Sequence, residues 1–468
     1  MKTKIFIIVL TINLLFLSSN AFSQTNILYF MENVPTRNEL NPAFVPTQKV
    51  YVTLPFNSYM GLMTNSFAPS DFLKSVDGEM TIPFSDNGDR QGFLSSLNPE
   101  NYIHTDAKIN LLGFGFKVGK NYFSVGASQR FLTSLSVPYD LPWLLLNGLP
   151  TTSATKNLNF KSLSADMSAF LEPSVGYSRE ILPNLSVGAK AKFLMGQAHS
   201  SVTFNKLTLQ GNYNSSTLTG DGTIDLYTSF PVPADDNGYP DFESIEFQPS
   251  SAYTFCGSGV AFDFGVVYKP IKNLTLSASV TDLGSISWKK NNWTAKANSQ
   301  TEFENISFKL GDDNSEANVD DSISGAFNFT QNNTIKTSKL TSHTRIGAEY
   351  SILNNKIGFG LLYDYRKNIY FSEGIVTGSV NFRPFHAINA SLAYSQLSAK
   401  LGTLGAGIDF NLGPITLYLM SDYIPITFAD NYVPKTNHIN MQAGMIMAFG
   451  RTNKIKKTKE PEEENSEE

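Results

Sequence analysis

The sequence predicts an all-β fold: a transmembrane, antiparallel β-barrel of about 14 strands with a short N-terminal hatch. Only 16% of its 468 residues are charged, while 12% are aromatic, whereas soluble domains average about 25% charged residues. Segments of about ten residues recur in which alternate positions are apolar, which is the pattern of strands that face lipid on one side. Beyond the first segment, no apolar run reaches the roughly 18 residues of a membrane helix.

The first 23 residues have the features of a secretory signal peptide. Lys2 and Lys4 precede a mostly apolar run from Ile5 to Leu17. Because this run is shorter than the roughly 20 residues that span a bilayer, a membrane anchor is the weaker interpretation. We expect cleavage after Ser23 and export to the outer membrane of a Gram-negative bacterium, a soluble periplasmic or external protein being the alternative.

Residues 48–449 are predicted to form the barrel. In the hairpin that turns at Pro270 to Asn273, for example, Leu274 and Leu276 lie on one face of the second strand and Thr275 and Ser277 on the other. The fourteen predicted strands lie at 50–56, at 112–131 as a hairpin, and at 167–177, 185–195, 260–268, 274–281, 345–352, 357–365, 376–382, 388–394, 404–410, 415–423 and 439–449.

The lengths of the predicted connections favour a membrane barrel. An even number of strands lets both ends of the barrel lie on one side. If that side is the periplasm, each connection there has about six residues or fewer, whereas those on the opposite side include 57–105, 132–162, 197–254 and 285–339. Short periplasmic turns and long extracellular loops are typical of outer-membrane barrels.

An aromatic residue that faces outward is predicted near the periplasmic end of every descending strand. Amphipathic rings prefer the level of the lipid headgroups, so a row of them indicates a periplasmic girdle. A soluble β-sandwich, the alternative fold, has no reason to place aromatic residues at one level. The girdle residues are Phe116, Tyr177, Tyr268, Tyr350, Phe382, Phe410 and Phe449.

Charged residues of both signs are predicted on the inward face. Such a lumen is either hydrated or closed by a network of ion pairs, and a barrel of this size also has room for a plug. We expect Lys190 and Lys192 to pair with Asp166 and Glu172 across adjacent strands. The predicted lumen charges are Arg130, Asp166, Glu172, Lys190, Lys192, Asp263, Arg345, Glu349, Asp364 and Asp409.

The sequence offers no support for catalysis. The five histidines are far apart, and a single cysteine excludes a disulfide framework and any site with several thiolates. We therefore predict no catalytic residue, no metal, no cofactor and no enzyme activity. The net charge of -5 argues against a nucleic acid as a partner.

Residues 450–468 form a charged segment after the last predicted strand. Residues 451–459 include five basic residues, and residues 460–468 include six glutamates. Such blocks of charge are typical of solvated, disordered extensions. We expect a periplasmic tail, with binding to a periplasmic partner or to peptidoglycan as the alternative.

The segment before the first strand carries a family resemblance. Residues 27–35 read ILYFMENVP and residues 38–44 read NELNPAF. They resemble the opening of a domain-of-unknown-function family of outer-membrane β-barrels, which is similar to the long-chain fatty-acid transport porins and to related barrels of protein secretion. In those relatives an Asn-Pro-Ala motif lies in an N-terminal hatch inside the barrel, which implies that role for Asn41, Pro42 and Ala43 within residues 24–47. An ordinary turn before the first strand is the alternative.

The resemblance also implies a function. It implies passive transport of a small hydrophobic or amphipathic compound, with access through movement of the hatch or a gap in the wall. The alternative is a barrel that transports nothing and acts as a scaffold or accessory in protein secretion or surface attachment. The expected partners are outer-membrane lipid, a small hydrophobic ligand and a periplasmic or secretion partner.

Overall fold

The computed structural model describes residues 26–451, except 56, 77, 236–237, 242–243, 245–253, 306, 310–327, 386, 399–400, 426 and 430–431. The predicted signal peptide and the tail beyond residue 451 lie outside the described residues. Within the described part, fourteen antiparallel strands form one closed barrel. The predicted fold class and strand number are therefore confirmed.

The barrel strands follow one another around the wall in chain order. They are β1 in two pieces (Gln48–Thr53 and Ser58–Thr64), β2 (Glu100–Val118), β3 (Asn121–Pro138), β4 (Ser164–Leu182), β5 (Leu185–Gly211), β6 (Gly257–Ile271), β7 (Leu274–Trp288), β8 (Ser342–Ile352), β9 (Ile357–Lys367), β10 (Ser372–Phe385), β11 (Ile388–Ser398), β12 (Leu401–Leu412), β13 (Ile415–Ile424) and β14 (His438–Arg451).

The barrel closes where the first strand meets the last. Val50 of β1 lies opposite Phe449 of β14, and Val52 lies opposite Phe114 of β2 on the other side. Closure matters because an open edge would leave unpaired backbone groups, which are costly in lipid. The six turns on the predicted periplasmic side have two residues each, except for the four residues between β8 and β9, as the predicted asymmetry requires.

The bounds of the first strand were predicted wrongly. Instead of one strand at 50–56, β1 has two pieces, so the predicted loop at 57–105 begins only after Thr64. At the break, the buried Asn57 side chain donates to the backbone oxygens of Leu54, at 2.8 Å, and Met445, at 2.9 Å. The amide thus replaces ladder bonds that the break removes. Most other strands extend beyond the predicted bounds at their extracellular ends, because polar residues there continue the pairing.

A second layer of sheet stands on the extracellular side. The end of β5 pairs with Lys156–Asn159 on one side and with Ser216–Thr228 on the other, and the latter strand pairs with Asn292–Phe303. The short strand Asn328–Asn332 extends this layer by pairing with Asn292–Phe303, whereas Lys336–Lys339 pairs with the end of the wall strand β7. A separate two-stranded sheet joins Lys74–Val76 to Glu79–Thr81. This extracellular sheet has its own apolar core of Leu144, Leu149, Leu158, Phe160, Phe204, Leu207, Leu209, Ala297 and Phe303.

The helices are short, and none of them is part of the wall. They are α1 (Pro69–Phe72), α2 (Arg90–Ser96) and α3 (Asp140–Asn147) on the extracellular side, and two 3-10 helices, Ile27–Phe30 and Pro35–Glu39, before β1. None of these helices in the described chain is long and apolar enough to cross a bilayer.

The outer face of the wall is an apolar belt. Along β6, Val260, Phe262, Phe264, Val266 and Tyr268 are all exposed. Monomeric soluble proteins rarely expose contiguous apolar patches larger than a few hundred Å², so a belt around a closed barrel is the surface of a protein that faces lipid.

Candidate functional site

The lumen of the barrel is the candidate functional site, and its periplasmic half contains the N-terminal segment (residues 26–47). Ile27, Leu28, Tyr29 and Phe30 are all at most 2% exposed. Their apolar side chains pack against inward residues of the wall such as Leu362. The segment therefore occupies the space that the wall encloses.

Polar contacts fix the first residues of the N-terminal segment at two heights. The backbone N–H groups of Asn26 and Ile27 both donate to the buried carboxylate of Asp422 on β13. Farther along, Arg383 donates to the carbonyl oxygen of Phe30 at 2.8 Å, near the periplasmic end of β10. Because a buried backbone group without a hydrogen-bond partner is costly, these contacts with wall side chains stabilise the segment inside the lumen.

The Asn41, Pro42 and Ala43 motif contacts the wall directly. The Asn41 amide donates to the carbonyl oxygens of Val266, at 3.4 Å, and Ala278, at 3.2 Å, and its side-chain oxygen accepts from the Ala43 N–H at 2.9 Å. The latter bond is an Asx turn, in which the side chain shapes its own backbone. The motif residues thus bridge strands β6 and β7 from inside.

Glycines on the inward face of the wall make room for the segment. A Cβ atom at Gly188 would lie 2.4 Å from the Pro42 backbone, and one at Gly265 would lie 2.0 Å from the Asn41 side chain. Gly347 lies against Tyr29 and Gly360 against Phe30 in the same way. We call Gly188, Gly265, Gly347 and Gly360 the seat glycines. Sequence reasoning missed them, although all fall at inward positions of the predicted strands.

A link joins the segment to the charges above it. Glu39 accepts from the ammonium group of Lys108 on β2 at 2.8 Å. Burial raises the pKa of Glu39, and the positive charges of Lys108 and Lys190 lower it more, so the net shift is downward. Between this pair and the wall lies a polar cavity of ≈ 30 Å³, which is room for little more than one water molecule.

A charged layer lies on the extracellular side of the segment, where Arg130 is the central residue. Arg130 contacts Glu172 at 3.2 Å, Asp282 at 3.1 Å and Asp106 at 3.2 Å, and it is 1% exposed. Lys192 joins the same group through Asp282 at 2.6 Å and Asp263 at 2.8 Å. Buried charges are tolerable only when they are paired in this way.

The predicted pairing of Lys190 and Lys192 with Asp166 and Glu172 does not occur as salt bridges among the described residues, although Lys192 lies close enough to Glu172 for their charges to interact. Both lysines do face the lumen, but in the β4–β5 register Lys190 lies opposite Gly176 and Lys192 opposite Ser174. Asp166 lies opposite Ser201, far along β5. Lys192 instead contacts Asp263 of the other neighbouring strand, β6, and Asp282 of β7. Asp263 also lies directly opposite Lys190.

Asp282 is a lumen residue that sequence reasoning missed. Strict alternation along β7 places position 282 on the lipid face, with Leu276 and Val280. A bulge between β6 and β7 and a φ of 61° at Asp282 turn its carboxylate inward instead. The bulge is held by a bond of 2.8 Å from the Asp282 N–H to Asp263. Asp tolerates this left-handed conformation better than most residues, but no period-two pattern reveals a bulge.

A second group of lumen charges surrounds Asp364 on β9. Asp364 contacts Arg366 at 3.0 Å, His343 at 3.2 Å and Arg345 at 3.5 Å. The carboxylate is fully buried. This group and the Arg130 group together form the charged layer across the lumen.

The remaining predicted lumen charges lie in three other places. Near the periplasmic mouth, Glu349 accepts from Arg383 at 2.6 Å. Asp409 accepts two bonds of 2.9 Å from Asn389. Asp166 is partly buried toward the extracellular end of β4, and no salt bridge among the described residues includes it. The structure therefore divides the predicted set into separate groups.

The predicted girdle residues lie on the outer face near the periplasmic ends of their strands. Phe116, Phe382, Phe410 and Phe449 stand two or three residues before a strand ends, as do Tyr268 and Tyr350, whereas Tyr177 stands five residues before the end of β4. Phe116 is partly covered because it stacks on Phe123, with ring centroids 5.3 Å apart. The other six side chains are exposed.

Comparison with known proteins assigns the chain to a family whose function is unknown. Residues 42–422 match the model of a family described as "Family of unknown function (DUF5723)". No functionally curated protein matches the chain.

Several solved structures are distantly similar to the chain. The toluene transporter TodX of Pseudomonas putida is 8% identical with a TM-score of 0.37, and the match covers 91% of this chain and 93% of that one. The toluene transporter TbuX of Ralstonia pickettii is 9% identical with a TM-score of 0.33, and the match covers 92% of this chain and 96% of that one. A FadL homologue of Pseudomonas aeruginosa is 12% identical with a TM-score of 0.38, and the match covers 92% of this chain and 100% of that one. Similarities this distant do not indicate what this chain binds.

Proposed function

The chain belongs to the DUF5723 family, and we propose that it is an outer-membrane barrel that passes a small hydrophobic or amphipathic compound passively when the N-terminal segment leaves its seat. We infer the location from the closed wall and its apolar belt, since closed barrels of this kind are typical of Gram-negative outer membranes. We also propose that the chain is exported by a signal peptide that is cleaved after Ser23, which sequencing of the mature N-terminus would test.

The observation that carries the proposal is the way in which the lumen is closed. The N-terminal segment fills the periplasmic half of the lumen, but none of its residues is part of a wall strand. It can therefore leave without breaking any pairing between strands. Residues 24–47 therefore act as the hatch, with Asn41, Pro42 and Ala43 as its contact to β6 and β7. A plug that is separate from the wall is what a gated pathway requires.

The charged layer limits what could pass. Because the Arg130 and Asp364 groups cross the lumen above the segment, a compound must move past paired charges as well as past the segment. A purely apolar molecule would gain nothing from replacing those pairs, whereas a molecule with one polar end could contact them. The geometry thus favours an amphipathic compound over a purely apolar one.

The test is a flux assay on vesicles that contain the purified barrel. Deleting residues 24–47 removes one of the two closures of the lumen and leaves the charged layer. We therefore expect slow swelling with the intact chain and at least roughly tenfold faster swelling with the deleted chain for solutes that are small and polar enough to pass the charged layer. Gly188→Leu should act in the same direction, because its side chain would occupy the place of Pro42. Gly378→Leu is the matched control, because no atom lies within 4 Å of a Cβ at that position.

The second candidate is a barrel that transports nothing and serves as a scaffold or accessory in protein secretion or surface attachment. The extracellular sheet favours it, since this layer has an apolar core of its own and therefore presents a folded surface outside the barrel. Absence of flux with both the intact and the deleted chain would count against transport and favour the scaffold.

A further inference from the structure

The periplasmic rim of the barrel carries a concentration of positive charge. We use "rim" for the six short turns and the adjoining ends of the strands. Its exposed basic side chains are Lys49, Lys120, Arg179, Lys269, Lys272 and Lys356. The whole chain has a net charge of -5, so this end of the barrel has the opposite sign to the molecule.

The carboxylates near the rim are engaged elsewhere. Glu180 accepts from Lys117 at 2.6 Å, and Glu349 accepts from Arg383 at 2.6 Å, with both of these cations partly buried at the mouth of the lumen. Glu32 accepts from Asn355 at 2.8 Å. No salt bridge among the described residues involves any of the six exposed rim cations. Their charge is therefore not neutralised by the wall.

The rim cations lie at the level of the lipid headgroups. Arg179 is two residues beyond the girdle residue Tyr177 on the same outer face of β4, and Lys269 directly follows the girdle residue Tyr268. Between the cations, apolar side chains at the turns point away from the protein: Val118, Ile271, Leu353, Phe385 and Leu412 are all more than half exposed. Apolar tips among cations fit a surface that is in contact with both acyl chains and headgroups.

We propose that the rim binds anionic phospholipid headgroups of the periplasmic leaflet. The ammonium groups of Lys120, Lys272 and Lys356 donate to phosphate oxygens, Arg179 presents a guanidinium fork to the same groups, and the apolar turn residues insert beside the acyl chains. The interaction goes beyond transport: it selects which lipids surround the periplasmic end of the barrel. It depends on the membrane location and not on any flux through the lumen.

The charged tail fits the rim less well than lipid does. Residues 451–459, which begin at the last residue of β14, include five basic residues, so charges of the same sign as the rim come first along the chain. The six glutamates come only after them, at 460–468. The nearest charges of the tail are thus of the same sign as the rim, whereas a leaflet with anionic lipid has the opposite sign around the whole circumference.

The experiment measures lipid retention by the full mature chain. The protein is purified in a mild detergent with equal amounts of phosphatidylglycerol and phosphatidylcholine of identical acyl chains, and the retained lipids are counted by native mass spectrometry. We expect a preference of roughly fivefold for phosphatidylglycerol, which decreases at high salt because the charges are exposed. The triple variant Lys120→Gln, Lys272→Gln and Lys356→Gln should lose most of this preference.

A matched control carries the same change of charge at the other end of the barrel. Lys206→Gln, Lys289→Gln and Lys290→Gln replace three exposed lysines on the extracellular side and should keep the preference. Equal retention of the two lipids by the unmodified chain, or equal losses in both triple variants, would overturn the proposal. So would a preference that arises only after residues 460–468 are removed, because the tail would then be the occupant of the rim. None of these outcomes bears on the flux assay.

Discussion

The two halves of the lumen are closed by different means. The periplasmic half is filled by backbone and apolar side chains of the N-terminal segment, which lie against the seat glycines. The half above it is closed by side chains of the wall itself, which form the Arg130 and Asp364 groups. Both halves are buried, but one closure is a separate piece of chain and the other is part of the barrel.

This difference teaches which closure is able to move. Removing one partner from a buried group of charges leaves the other charges buried without a partner or water. The charged layer is therefore cooperative, and it contributes to the stability of the wall. Displacing the segment exposes apolar surface and breaks a few hydrogen bonds and the pair between Glu39 and Lys108, but it leaves every strand pairing intact. Three substitutions separate the two closures by what they should damage, and a fourth, outside the lumen, shows the effect of an exposed ion pair.

The largest effect is expected from Arg130→Met. It would leave Glu172, Asp282 and Asp106 as buried carboxylates without their shared partner, so the free energy of unfolding should fall by roughly 3–5 kcal/mol. Urea unfolding of the barrel in vesicles measures this loss. Arg130→Lys keeps a positive charge and should lose less. A loss below about 1 kcal/mol in Arg130→Met would mean that the layer is not cooperative.

Gly188→Leu should unseat the segment and leave the wall folded. A side chain there meets the backbone of Pro42, and overpacking of this kind costs about 1–3 kcal/mol, so amide exchange in residues 40–44 should accelerate by roughly tenfold. Hydrogen exchange read by mass spectrometry resolves those peptides. Unchanged protection, or equal acceleration in Gly378→Leu, would contradict the assignment of the seat.

Asn41→Ala should weaken the same seat by a smaller amount. It removes two bonds donated to β6 and β7 and the turn bond to Ala43, for an expected cost of about 1 kcal/mol in seating. Asn41→Asp keeps the turn and loses the donated bonds, so it should lie between Asn41→Ala and the unmodified chain. The same exchange experiment ranks the three, and the urea midpoint of the barrel should remain unchanged.

The smallest effect is expected for an ion pair outside the lumen. Lys74 pairs with Asp89, the residue that caps α2, and the two side chains are 35% and 39% exposed. The hydrogen bond from Lys74, and then the one from the Gly92 N–H, lower the pKa of Asp89. The contribution is therefore present above about pH 4 and is lost as the pH falls through the lowered pKa. Lys74→Gln should cost no more than about 1 kcal/mol at neutral pH; a cost like that of Arg130→Met would remove the distinction between exposed and buried pairs.

The sequence predicted the wall well and the lumen only in outline. Alternation, turn lengths and the level of the aromatic residues are local properties of each strand, so the barrel and its fourteen strands follow from them. Which charges meet across the lumen depends on the register between strands, and no strand carries that information alone. The error at Lys190 and Lys192 arose in this way.

Two other features were out of reach for the same reason. The bulge at Asp282 adds one residue to β7 and reverses which face its later residues take. The extracellular sheet is made of segments that lack a lipid face, so their strands do not alternate in the pattern that marks the wall. The inward glycines could have been recognised in the sequence, since Gly265 and Gly347 alternate with predicted lumen charges. A position without a side chain indicates only that another part of the protein packs closely against the wall there, and does not identify that part.

The bulge at Asp282 also determines what the protein's own fluorescence reports. Because β7 changes its inward face there, Trp288 is fully buried and stacks on His199, with ring centroids 4.7 Å apart. Trp293 lies in the extracellular sheet and Trp143 in α3, and these three are all the tryptophans of the chain. Tryptophan emission will therefore follow the formation of the extracellular layer, and quenchers dissolved in the acyl chains will have little access to it. Bilayer insertion has to be followed with a different probe.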